Sequence, residues 1–139
     1  MVKSIAIAIA LVFSAGASAQ ALSKADYKSA KDGIAAEYKS AKTACAALSG
    51  GGRDGTRGTI RRQICELEAK GKRDVAKAEL EARHSPTDEN RRAVTVAKVK
   101  AQHAVLRKKC EEADQVRQAC LDETKAAETR AMAAAAKAD

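Results

Sequence analysis

The sequence predicts an all-α protein: four helices paired as two disulfide-clipped antiparallel hairpins around a thin, coiled-coil-like, Ala-rich core. Three observations predict it. A cysteine motif occurs twice, as Lys42-Thr43-Ala44-Cys45 followed by Arg62-Gln63-Ile64-Cys65, and again as Arg107-Lys108-Lys109-Cys110 followed by Arg117-Gln118-Ala119-Cys120. Upstream of each first cysteine the match continues at an offset of 65 residues, pairing Ile34 with Val99 and Tyr38 with His103. The composition favours helix, with abundant Ala, Lys, Glu and Arg and a single Pro. Apolar residues recur at steps of three and four, the spacing that keeps them on one helical face.

The chain opens with Lys3, an apolar run from Ile5 to Phe13, and the small-residue site Ala17-Ser18-Ala19 before Gln20, the pattern of a secretory signal peptide over residues 1–19. A membrane anchor needs about 20 consecutive apolar residues, and Ser14, Gly16 and Ser18 interrupt this run first. The expectation is an exported, periplasmic chain from Gln20 onward with no membrane anchor after cleavage, divided into a first hairpin at 20–84 and a second at 85–139.

In the first hairpin Ser23 can cap a helix, with Asp26 at the third helical position and Leu22 and Tyr27 placed as a hydrophobic staple. Its stripe runs Tyr27, Ala30, Ile34, Tyr38, Ala41, Cys45, Leu48. Five glycines between Ser49 and Gly58 should stop the helix and form a hairpin tip. Thr59 can cap a second helix with stripe Ile60, Ile64, Leu67, Val75, Ala78 and a weak point at Gly71. Glu66 with Lys70, Glu68 with Lys72 and Glu79 with Arg83 are spaced for ion pairs on its solvated face.

The second hairpin begins at Ser85-Pro86-Thr87-Asp88-Glu89, read as Ser cap, Pro in the first turn and acids at the positive helix end. The third helix should run to about Glu112 with stripe Val96, Val99, His103, Leu106, Cys110, and the fourth from about Gln115 to Lys137 with Val116, Leu121 and Met132.

The core is poor, with 15 Leu, Ile and Val and no Phe in the 120 residues from Gln20. A core so small needs staples. Four cysteines in an exported chain point to disulfides, and their spacings lack the close pairs of a zinc site. Ten residues of continuous helix would hold Cys110 and Cys120 about 15 Å apart, whereas a bridge needs under about 7 Å. Either the chain turns between them or each finds another partner. The evident loop between Cys45 and Cys65 favours Cys45 with Cys65 and Cys110 with Cys120; pairing across the copies, Cys45 with Cys110 and Cys65 with Cys120, is the rival.

Charge is the asymmetry with functional content. Without the leader, 25 Lys and Arg face 18 acids, a net of +7. Arg91, Arg92, Lys98, Lys100, Arg107, Lys108 and Lys109 occupy an acid-free stretch that by itself carries +7. Such a helix can lie against anionic envelope polymers or lipid headgroups, or can simply be a solvated face. Nucleic acid is disfavoured, because Tyr27 and Tyr38, the only aromatics after the leader, sit on the core stripe rather than on a stacking platform. No catalytic motif is present: His103 and Cys110 stand about 10 Å apart on one helix, the Gly-rich segment lacks the Lys-Ser/Thr of a phosphate loop, and the cysteines lack the C-x-x-C spacing of a redox pair. His84 ends a helix, where it can bond the last carbonyls. The reading is a non-enzyme without metal or cofactor, acting through an envelope protein or self-association. A binder of anionic polymers or lipids and a redox or stress-responsive protein are the alternatives.

The run Tyr38-x6-Cys45, then Cys65-x2-Glu68-Ala69-Lys70-Gly71-Lys72 and Val75-Ala76-Lys77-Ala78-Glu79-Leu80-Glu81-Ala82, resembles a group of small exported Ala/Lys-rich proteins of Gram-negative bacteria, mostly beta-proteobacteria, some labelled TolA-like envelope proteins. The resemblance spans nearly the whole chain and implies a periplasmic helical protein. It brings no catalytic residues.

Overall fold

The computed structural model describes residues 22–50, 55–111, 113 and 115–137. The signal-peptide reading at 1–19 falls outside them, as do positions 51–54 of the Gly-rich segment. Among the described residues there are four α-helices and no strand: α1 Lys24–Ala46, a 3-10 turn Ala47–Gly50, α2 Gly55–His84, α3 Asp88–Cys110 and α4 Arg117–Lys137.

Both bridges follow the hairpin scheme. Cys45 bonds Cys65 with their Cα atoms 5.5 Å apart, and Cys110 bonds Cys120 at 5.6 Å, so pairing across the copies is excluded. The chain does turn between Cys110 and Cys120, as the helical rise demands. Each bridge sits at the neck of an antiparallel pair, joining the C-terminal end of one helix to an early turn of the next.

α1 starts as its sequence directs. The Ser23 hydroxyl oxygen accepts from the Asp26 backbone N–H at 3.1 Å, and the hydroxyl donates to the Asp26 carboxylate at 2.6 Å. This satisfies one of the donors that every helix start leaves open. The other boundaries move. α2 begins at Gly55, so Thr59 lies inside the helix rather than capping it. Isolated glycines disfavour this by about 1 kcal/mol each, but the 3-10 turn packs on α2, and a Cβ on Gly58 would lie 4.0 Å from the Leu48 carbonyl oxygen. α3 is capped by Thr87, not Ser85: the Thr87 hydroxyl accepts from Asn90 N–H at 3.1 Å. The Ser85 N–H is already committed to the last turn of α2, bonding the Glu81 carbonyl at 2.8 Å, so Ser85 ends one helix and cannot open the next. α3 closes at Cys110 and α4 opens at Arg117, which shortens both relative to expectation.

The helices form an open meander. Each packs on its sequence neighbour, and the Cα atoms of non-consecutive helices stay more than 8 Å apart. The first pair is held at both ends. Opposite its bridge, the Tyr27 hydroxyl donates to Glu81, the Tyr27 and His84 rings lie 4.5 Å apart, and His84 Nδ1 is 3.2 Å from the Leu22 carbonyl oxygen. The two pairs meet through α2 and α3, whose backbones come close where Gly71 faces Ala101 and which are tied further along by Lys98 to Glu79 at 2.8 Å. α4 rests on α3 through the Cys110–Cys120 bridge, the Arg107–Glu128 ion pair and Thr124, whose hydroxyl is 3.6 Å from Cys110 Sγ.

The core is as thin as the composition implies. Among the described residues the buried apolar side chains are Cys45, Ala69, Leu80, Cys110 and Ala135. Leu48, Leu106 and Val116, assigned to stripes by spacing, are exposed; Leu48 has left the α-helical period for the 3-10 turn, and Val116 precedes α4. Leu80 and Ala69 were missed because α2 is two-faced. One side meets α1 and the other α3, and a single stripe of period 3.6 describes only one of them.

Candidate functional site

The seven cations of the acid-free stretch do not form one basic face. Lys98 is paired with Glu79 of α2, Arg107 with Glu128 of α4, Arg91 with Asp88 and Lys108 with Glu111. Arg92 is half-buried, and Lys100 and Lys109 are exposed without a carboxylate partner among the described residues. The stretch is acid-free in sequence, but its acids arrive from the helices on either side and from the residues flanking it. Surface pairs of this kind contribute at most about 1 kcal/mol each, yet they disperse the charge. Of the ion pairs expected along α2, Glu66 instead meets Arg62 at 2.8 Å, and Glu79 turns across to α3.

The two histidines serve the fold. His103 is buried on α3 and its Nδ1 has no hydrogen-bond partner among the described residues; Cys110, on the same helix, is locked in a bridge. His84 reaches across to the Leu22 carbonyl, just before α1, instead of the last carbonyls of its own helix. No group of three His, Cys, Asp or Glu side chains converges as a metal site among the described residues, and no described helix is long and apolar enough to cross a membrane.

Beside His84, Tyr27 carries a titration signature. Its hydroxyl donates to the Glu81 carboxylate, and losing the proton would both break that bond and set a second negative charge beside Glu81, so the phenol pKa lies above its ordinary 10.0. A folded-state pKa raised above the unfolded value stabilises the fold in full below the unfolded pKa and loses that contribution as pH rises through the folded one. Wild type should therefore lose stability between about pH 10 and higher pH more steeply than Tyr27→Phe, with no such difference between pH 7 and 9. Urea midpoints across that range test it; parallel curves for the two proteins above pH 10 would remove the Glu81 bond from the account.

Two kinds of surface relief remain. Between α2 and α3 runs an apolar groove of about 290 Å³, lined by Leu67, Gly71, Val96, Ala97, Ala101 and Ala104 with Lys70, Asp74 and Lys100 at its sides. It exists because small side chains let the two backbones approach at Gly71 and fill little space beyond it. Next to the first bridge, two adjoining hollows of about 380 and 560 Å³ share Tyr38, Lys42 and Glu66. The first adds Gln63, Leu67, Lys70 and Lys108, the second Lys39, Thr43, Ala46 and Arg62. Sequence reasoning placed the cationic surface on α3. The hollows instead gather cations from α1, α2 and α3, and Lys108 is the member they share with the acid-free stretch.

No protein-family model, curated protein or solved structure matches the chain.

Proposed function

We propose that this is a non-enzymatic exported protein of the cell envelope that works by helix-to-helix association, with a second copy of itself or with an envelope protein. The observation that carries the reading is the open meander. α1 packs on α2 and the turn that follows it, α4 packs on α3 alone, and the α2–α3 face leaves an apolar groove of about 290 Å³. A chain that buries so few large side chains gains more from helical partners than a closed bundle would. Two neck bridges suit an oxidising compartment, in keeping with the leader-like start and with the resemblance to exported Ala/Lys-rich envelope proteins. Cys45 is 1% and Cys110 2% exposed, which favours structural bridges over reactive ones.

Sedimentation of the oxidised chain from Gln20 onward is expected to show self-association, or crosslinking in intact cells to capture an envelope protein through α2, α3 or α4. A monomer at every concentration together with no captured partner would end this reading.

A further inference from the structure

We infer that the trough beside the Cys45–Cys65 bridge binds a phosphate-bearing anion longer than a single phosphate. The trough adjoins the groove invoked for association, with which it shares Leu67 and Lys70, but its other cations lie outside that groove. Its cations are Lys39 and Lys42 of α1, Arg62 and Lys70 of α2 and Lys108 of α3, against one lining carboxylate, Glu66. Glu66 is engaged with Arg62 at 2.8 Å and Lys108 with Glu111, whereas Lys42 and Lys70 have no carboxylate partner among the described residues. Unpaired lysines of α1 and α2 thus share one depression, an arrangement that repels itself until an anion enters.

The chemistry of the lining selects the ligand. Lysine ammonium groups are compact point charges with three donors each, suited to phosphate oxygens. The two hollows adjoin at Tyr38, Lys42 and Glu66 and together exceed what one phosphate would fill, so an anion that reaches both extends from the Lys39–Arg62 end to the Lys70–Lys108 end. A nucleic-acid strand fits less well. Base stacking needs a free aromatic face, and the Tyr38 ring already carries the Arg73 guanidinium at 4.3 Å and the Lys42 ammonium at 5.9 Å. The phosphates could belong to a soluble chain or to a lipid headgroup; the lining is the same for both.

The test uses the oxidised chain from Gln20 onward, with tripolyphosphate and vesicles of cardiolipin, a two-phosphate lipid, as separate probes in calorimetric titrations at low and moderate salt. Binding that weakens with salt is expected. The double substitution K42Q/K70Q should weaken it about ten-fold, from two lost exposed charge contacts. K31Q/K109Q, which removes the same charge from exposed positions outside the trough, should change it less than about two-fold. Circular dichroism of both variants checks that helix content is kept. Binding of tripolyphosphate alone assigns a soluble anion, and binding of vesicles alone a headgroup. Binding of neither, equal losses in the two variants, or tighter binding of a single-stranded oligonucleotide would overturn the assignment.

Discussion

Replacing Gly71 with leucine is expected to destabilise the fold by about 3 kcal/mol, the upper end of what overpacking costs. A Cβ built on Gly71 lies 2.7 Å from the Ala101 Cβ and 3.4 Å from its Cα. Neither atom can swing aside, so α2 and α3 must separate, and with them the contact that joins the two hairpins. Even Gly71→Ala should lose about 1 kcal/mol, because overpacking of about 1–3 kcal/mol outweighs the gain of up to about 1 kcal/mol that alanine brings to a helix interior. The double variant Gly71→Ala with Ala101→Gly separates the two effects, since it returns the space while keeping the number of Cβ atoms. Urea unfolding midpoints are the measurement. If Gly71→Ala were stabilising, the close approach of α2 and α3 would be wrong and the glycine would be the plain weak point that helix propensity makes it.

Removing the second bridge as Cys110→Ser with Cys120→Ser is expected to cost about 3 kcal/mol by loop-closure entropy, much the same as removing Cys45–Cys65. The consequences should differ in place. α4 packs on α3 alone, and its buried residues are Thr124 and Ala135. Without the bridge it should detach locally, losing hydrogen-exchange protection over Arg117–Lys137 while α2 and α3 stay protected. Loss of the first bridge should do less to α1, because Tyr27, Glu81, His84 and Leu22 still fasten its far end to α2. Uniform loss of protection along all four helices in either variant would show a single cooperative unit in place of a chain of neighbour contacts.

Much of this arrangement was legible in the residues, because the determinants are local. The Ser23 cap and the helix-forming composition act locally, and the helical rise shows that Cys110 and Cys120 cannot meet within one helix; the choice between a turn with neck bridges and pairing across the copies was made by the structure. Boundaries were less legible wherever a residue had two possible uses. Ser85 could open α3 or close α2, and only the Glu81 carbonyl above it decided. Thr59 could cap α2, but the helix begins four residues earlier, at Gly55.

The pairing of the α3 cations was illegible for a related reason. Counting charge along the chain treats neighbours in sequence as neighbours in space, which holds for i,i+3 and i,i+4 pairs on one helix and fails between helices. With Cys45 bonded to Cys65 in an antiparallel pair, Lys42 must lie beside the turns that carry Gln63 to Lys70, and that much could have been read from the pairing. Lys108 could not, because its place depends on how closely α3 approaches α2, and Gly71 against Ala101 sets that distance.

By itself, then, the sequence determined four helices and the turns between them and favoured neck bridges over pairing across the copies, since helix period, capping and disulfide reach act over a few residues. Only the tertiary structure decided that the hairpins join through α2 and α3, that the acid-free stretch is largely paired with acids from elsewhere, and that cations of three helices line the hollows beside the first bridge. Those outcomes depend on interhelical distance and register, and in a core made mostly of alanine these are set by single close contacts such as Gly71 with Ala101 that no periodicity records.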